Sequence, residues 1–168
     1  KLQTYVPASD EADRTMDDIN GFSYPLPAHT YGYTQMEDHP DAGDGLYAAV
    51  CVNEKGVAIT GTVTAYGCDA WGEADPFVED GLREAVIPCL AAATAATAKD
   101  AVDVLTKAVD TYGSESGHIV MMADQNEAWI LEVYGGKNYV AMKLPDDQVA
   151  VFGNQFMIGA IDPKDTEN

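Results

Sequence analysis

Thiols, imidazoles and carboxylates are the groups in this sequence that can attack a carbonyl, carry a proton or hold a metal. The sequence contains three cysteines, Cys51, Cys68 and Cys89, and three histidines, His29, His39 and His118. A cysteine beside a histidine makes a thiolate nucleophile, but nothing in the chain order brings any of these thiols to an imidazole. No Cys-x-x-Cys occurs, so zinc ribbons and dithiol redox motifs are excluded. The histidines have no His-Glu-x-x-His or other ligand spacing. The stretch Asp41-Ala42-Gly43-Asp44-Gly45 lacks the alternating ligands and closing Glu of a calcium loop and reads as a turn. Phosphate-loop, dinucleotide and Gly-x-Ser-x-Gly signatures are missing as well. Cys51 lies in the apolar run Tyr47-Ala48-Ala49-Val50-Cys51-Val52, where a buried free thiol is expected. Spacing alone therefore describes an α+β domain and leaves its chemistry open.

The elements that would position any site are clearer. Residues 46–52 and 57–65 are rich in β-favouring types and flank Asn53-Glu54-Lys55-Gly56, a hairpin turn. Residues 67–81 read as a loop. Residues 82–96 have helical composition interrupted by Pro88, where the helix must kink or restart. Residues 97–112 form the clearest helix, with Thr97 as N-cap, Asp100 three positions on, and Ala101, Val104, Leu105, Ala108, Val109 and Tyr112 at helical spacing before Gly113. Strands are expected at 118–123, 128–134, 139–144 and 148–152, joined by short turns that require antiparallel neighbours. Residues 1–20 and 162–168 read as loop or frayed ends, and 21–45 as an ordered, irregular loop. Helices grouped between antiparallel hairpins give α+β. Met121, Met122, Ile130, Leu131 and Val133 leave few strand positions for water, so a second layer must cover the other sheet face.

Charge narrows the partners. Nine basic against 28 acidic residues give a net charge of −19, which repels phosphate backbones and anionic lipid alike. Nucleic acid and membrane are excluded as partners on this reading. No run of about 20 apolar residues is present to span a bilayer. The sequence does not begin with Met and carries no signal peptide, so the natural N-terminus is expected elsewhere.

Several segments carry a resemblance. Asn53-Glu54-Lys55-Gly56-Val57-Ala58-Ile59-Thr60-Gly61-Thr62-Val63-Thr64 resembles a stretch typical of N-terminal-nucleophile amide hydrolases. Ala74-Asp75-Pro76-Phe77-Val78-Glu79-Asp80-Gly81 narrows this to one branch. So do Glu127-Ala128-Trp129-Ile130-Leu131-Glu132-Val133-Tyr134-Gly135-Gly136 with Leu144-Pro145-Asp146-Asp147, and Gly153-Asn154-Gln155-Phe156. Phe22-Ser23-Tyr24-Pro25-Leu26-Pro27 resembles the loop ahead of the hairpin. In this order and spacing they resemble the dipeptidase A family of cysteine N-terminal-nucleophile hydrolases, from about Gly21 onward.

The resemblance implies a four-layer αββα sandwich, incomplete in this chain, with residues 1–168 forming part of a single catalytic domain. It implies hydrolysis of short peptides, mainly dipeptides, of broad specificity, by a thiolate on the first residue of the mature chain whose own α-amine is the base. No metal or organic cofactor is implied. Residue 1 is Lys, so the nucleophile is expected upstream and this piece alone inactive. The alternatives are a non-catalytic module that keeps the fold, or a related acylase of the choloylglycine or penicillin V type.

By the same resemblance, Asn154 matches a pocket Asn that can donate to a developing oxyanion; its plain alternative is a turn after 148–152. Thr62 and Val63 fall where relatives shape the oxyanion site, but Thr62-Val63-Thr64 departs from the family's Thr-Glu-Thr/Ser setting, leaving a backbone N–H or an ordinary strand. Asp75, Glu79 and Asp80 could receive a dipeptide's ammonium group, or cap a helix starting near Leu82. Gly135-Gly136 reads as a turn, and Trp129 and Tyr139 as core. A small peptide is the partner implied. Homo-oligomerisation and compartment stay open, with cytoplasm ahead of export.

Overall fold

The computed structural model describes residues 3–37, 43, 47–63, 65–151 and 153–159. His39, the expected frayed end at 162–168 and, apart from Gly43, the expected turn at 41–45 lie outside them.

A seven-stranded sheet runs in the order β1 (Thr4–Val6), β4 (Tyr33–Glu37), β5 (Ala48–Asn53), β6 (Ala58–Val63), β7 (His118–Ala123), β8 (Ala128–Val133), β9 (Tyr139–Lys143). Every neighbouring pair is antiparallel. A two-stranded ribbon, β2 (Thr15–Asp17) and β3 (Ser23–Pro25), stands apart. Three helices intervene between β6 and β7: α1 (Asp69–Ala74), α2 (Ile87–Thr94) and α3 (Ala98–Tyr112).

The β5–β6 hairpin forms as its turn chemistry predicts. Gly56 takes φ +82°, a conformation costly for other residues. Asn53 does more than turn the chain. Its Oδ1 accepts from the N–H groups of Lys55 and Val57, both at 3.0 Å, while its Nδ2 donates to the carbonyls of Ala92 and Ala95 at 2.9 and 2.8 Å. These last two belong to the carbonyls that the end of α2 leaves without helical partners.

Pro88 settles the helix expected over 82–96. The helix begins at Ile87 with the proline in its first turn, where a missing N–H costs nothing. Residues ahead of it form turns, and Leu82 bridges to Ser114. Seven of the eight residues of α2 are buried, since it is wedged between the sheet and α3. The start of α3 carries the expected capping box: the Thr97 hydroxyl accepts from Asp100 N–H at 3.1 Å and Asp100 Oδ2 accepts from Thr97 N–H at 3.0 Å. Gly113 closes it at φ +81°, and a Cβ there would stand 2.4 Å from Val78 Cγ2.

Four expectations are corrected. Residues 1–20 hold strands β1 and β2, and 21–45 hold β3 and β4. β1 and β4 pair across distant segments, and β2 and β3, though neighbours in the chain, have three residues each, so short runs such as Thr4–Val6 show no local pattern. The loop expected at 67–81 contains the six-residue helix α1. The strand expected at 148–152 does not form over 148–151, and Phe152 lies outside the described residues. Val149 and Val151 are exposed, and only Ala150 packs, against the Ile119–Ile130 cluster on the sheet.

Alternation assigns the two sheet faces. One row, Gln35–Cys51–Ile59–Met122–Trp129–Lys143, lies toward α2 and α3 and supplies much of the core. The next row, Met36–Val50–Thr60–Met121–Ile130–Met142, lies on the opposite face. There Met36 and Met121 are exposed, and an apolar trough of about 300 Å³ opens beside Val50, Thr60, Met121, Ile130 and Ala150. Among the described residues, one helical layer and one large sheet are in place, with the face expected to meet a second sheet covered only in part, by the segment that follows β9. No helix among them is long and apolar enough to cross a membrane.

Candidate active site

The row beyond the trough on this open face is Thr62–Ile119–Glu132–Val140. The chain leaving β9 crosses back over it, and here two residues singled out from the sequence meet. The Thr62 hydroxyl donates to Asn154 Oδ1 at 3.2 Å. With its oxygen engaged, the Asn154 amide presents its NH2 end as the donor. Val63, by strand alternation, points to the helical face, in register with His118, so only Thr62 of that pair offers its side chain here.

Segment 153–158 is held by contacts that sequence reasoning missed. Glu132, fully buried on β8, accepts from Met157 N–H at 2.7 Å and Ile158 N–H at 3.2 Å, and from the Tyr134 hydroxyl at 2.7 Å. Burial, followed by this carboxylate, pushes the Tyr134 phenol well above its ordinary value. The Phe156 ring lies 4.5 Å from that of Tyr134, and Trp71 of α1 meets Tyr134 edge-on at 6.0 Å. Gly117 leaves room for this arm: a Cβ there would sit 3.2 Å from Phe156 Cζ and 2.2 Å from the Ala65 carbonyl oxygen. One signal was available, a lone Glu inside the apolar run Ile130-Leu131-Glu132-Val133, because a buried carboxylate is tolerated only when it is hydrogen-bonded.

The acidic loop divides. Asp75 is committed to the β8–β9 turn: its carboxylate accepts from Lys137 N–H at 3.0 Å and Asn138 N–H at 2.9 Å, while its carbonyl accepts from Gly136 N–H at 3.2 Å. Partial burial works against its ionised form, but these N–H groups outweigh it and hold the carboxyl below the usual range. The glycines of Gly135-Gly136 are required by this contact, since a Cβ on Gly135 would meet Asp75 Oδ2 at 2.4 Å. Glu79 and Asp80 are exposed beside the β2–β3 ribbon, where the Asn20 amide donates to the Glu79 and Gly81 carbonyls and Gly21 packs on Asp80. Neither caps a helix at Leu82, because α2 begins later and has no acid in its first turn.

Among the described residues no thiol meets an imidazole. Cys51 and Cys89 face each other at 3.8 Å inside the core, and hydrogen bonding to Cys89 together with burial pushes the Cys51 thiol far up. Cys68 is exposed ahead of α1. His118 is fully buried on the helical side, its Nε2 3.3 Å from the Leu82 carbonyl and 3.5 Å from Ser116 Oγ. Burial lowers its pKa to about 4, so the ring is neutral and turned away from the open face. His29 pairs with Asp10 at the surface. Among the described residues no group of three or more His, Cys, Asp or Glu could hold a metal.

Comparison with known proteins bears on this site. The family model described as Peptidase family C69 matches residues 3–168. A "Probable dipeptidase B" of Streptococcus pyogenes serotype M1 is 38% identical over 156 residues, covering 93% of this chain and 31% of that protein. A "Probable dipeptidase" of Latilactobacillus sakei is 36% identical over 149 residues, covering 89% and 31%. The chain thus spans about a third of the length of these curated relatives. Among solved structures, penicillin V acylase from Agrobacterium tumefaciens superposes with a TM-score of 0.51 at 18% identity, over 84% of this chain and 40% of the acylase. That likeness identifies the fold alone, an antiparallel α+β architecture shared with the acylase.

Proposed function

The chain belongs to Peptidase family C69, and from that premise we propose that it is part of a cysteine dipeptidase and builds one wall of its active site. The attacking thiol belongs to an N-terminal Cys upstream of residue 1. Its α-amine takes the thiol proton, the sulfur adds to the peptide carbonyl, and the carbonyl oxygen becomes an oxyanion. The Asn154 NH2 donates to that oxyanion, where its charge is greatest in the transition state. Collapse breaks the C–N bond, and the ammonium returns its proton to the departing amine. Water then cleaves the thioester.

The observation carrying this reading is the Thr62–Asn154 hydrogen bond. It ties a neutral donor, on the segment that follows β9, to strand β6 on the open sheet face. The names of the relatives favour short peptides as substrates, and the acidic loop is the candidate for recognising a free ammonium group, through Glu79 or Asp80, since the Asp75 carboxylate is already engaged.

Two measurements test this. The gene upstream of residue 1 is expected to encode a Cys at the start of the mature chain. The full-length protein is expected to release free amino acids from a dipeptide panel, and to lose this activity when that Cys is replaced by Ala. Turnover of acylated amides with none of dipeptides would overturn the substrate class.

A further inference from the structure

We propose that Glu132 is a positioning residue that sets the place of Asn154 through the arm 153–158. This rests on the hydrolase reading above and deepens it.

Glu132 and Thr62 share one row of the open face, two strands apart, or about 10 Å at the usual strand spacing. The arm ties one to the other. Its Met157 N–H rests on Glu132 and its Asn154 amide rests on Thr62. Three Cα–Cα steps separate those points, a span of at most about 10 Å. The two anchor points lie close together on one short segment, bent where Gln155 N–H donates to the Gly153 carbonyl at 2.9 Å.

Relative strengths say which end governs. The Thr62–Asn154 contact is a single hydrogen bond between neutral groups at an exposed position, the weaker kind. Glu132 receives three donors at a fully buried carboxylate, and hydrogen bonds to a charged acceptor are roughly twice as strong. Phe156 and Ile158 pack on the cluster of Ala65, Ile119 and Ile130 beside it. The buried anchor fixes the arm, and Asn154 is delivered to Thr62 as a result. A purely structural need at this position is met by an apolar side chain, because a buried carboxylate is unfavourable until hydrogen-bond donors offset its lost hydration. What a carboxylate adds is direction: two successive amides can meet it in one register only.

The test uses the full-length protein and the variants E132A, E132Q and Y134F, with L105A as a stability control in α3, away from the site. The Gln side chain keeps an acceptor for the amides and offers its NH2 to the Tyr134 oxygen, so E132Q is the rescue. In E132A the expected result is a kcat for a dipeptide lowered roughly 10- to 100-fold with KM changed less than about threefold. Exchange of the Met157 and Ile158 amides accelerates, and the Asn154 side-chain amide resonances shift. E132Q returns kcat to within about threefold and restores the resonances. Y134F, which keeps the ring on Phe156, gives a smaller loss of the same kind. L105A lowers Tm and leaves kcat unchanged below its melting range.

The proposal is overturned if E132A keeps wild-type kcat, if E132Q is as impaired as E132A, or if the Asn154 resonances do not respond to either. Should E132A fail to fold, E132Q and Y134F decide by the same readouts. A wild-type protein without dipeptide turnover would sink the dipeptidase reading instead, and the exchange and resonance measurements would still decide whether Glu132 places Asn154.

Discussion

The Thr62 hydroxyl stands 3.2 Å from Asn154 Oδ1 across 92 residues of sequence, joining strand β6 to the segment that follows β9. If the Asn154 amide donates to an oxyanion, Asn154→Ala lowers kcat by roughly 10²- to 10³-fold with little change in KM. Thr62→Val removes only the orienting hydroxyl and is expected to cost less, roughly 3- to 10-fold. Steady-state kinetics of the full-length protein on a dipeptide checks both, and equal losses in the two variants would contradict the division of roles.

Asp75 offers a discriminating substitution. Asp75→Ala leaves the N–H groups of Lys137 and Asn138 without their acceptor and is expected to destabilise the protein by about 1–2 kcal/mol with KM unchanged. A residue recognising the substrate's ammonium would instead raise KM at constant stability. Its pH dependence has a definite sign. The folded carboxyl lies below its ordinary 3.8, so its contribution is complete above that value and fades as pH falls through the lower folded one. Thermal melts from pH 7 downward, wild type against variant, report it.

His118 makes stability pH-dependent in a higher window. Its pKa falls from 6.5 to about 4 on burial. Between these values the unfolded chain binds a proton that the folded chain refuses, so stability rises with pH across pH 4 to 6.5. At about 1.4 kcal/mol per pKa unit the full effect is about 3 kcal/mol. His118→Leu is expected to flatten this part of the stability–pH curve, measured by denaturant unfolding at pH 4.5 and 7.

Gly113→Ala is expected to cost more than about 1 kcal/mol, because φ +81° disfavours any side chain and the new methyl would overlap Val78. A thermal melt shows it as a lowered Tm. Gly56→Ala, at a similar φ but with open space around it, is expected to cost less.

Local chemistry is what the sequence made legible. The hairpin at Asn53–Gly56 and the start of α3 at Thr97 and Asp100 are determined by residues within four positions of each other, and both were placed from their types alone. Strand β1 was missed because its partner β4 lies far along the chain, and β4 because Tyr33-Thr34-Gln35-Met36-Glu37 does not alternate apolar with polar types. Helix α1 is too short for periodicity to mark. Thr62 and Asn154 drew notice only through resemblance to a family. Their meeting depends on how the chain returns over the open face, which no local pattern encodes. Glu132 was readable as an anomaly, a charge within an apolar strand, but its partners Met157 and Ile158 were not.

The single amide of Asn53 grips the turn of one hairpin with its oxygen and the end of α2 with its nitrogen. Neither element can then open alone without stranding a buried polar group, at a cost of about 1–3 kcal/mol. The two should behave as one cooperative unit in native-state hydrogen exchange, with the amides of Val57 and Ala95 released by the same event. In a sheet whose strands β6 and β7 are joined along the chain only through the three helices, such a clasp locks the helical layer to the central hairpin.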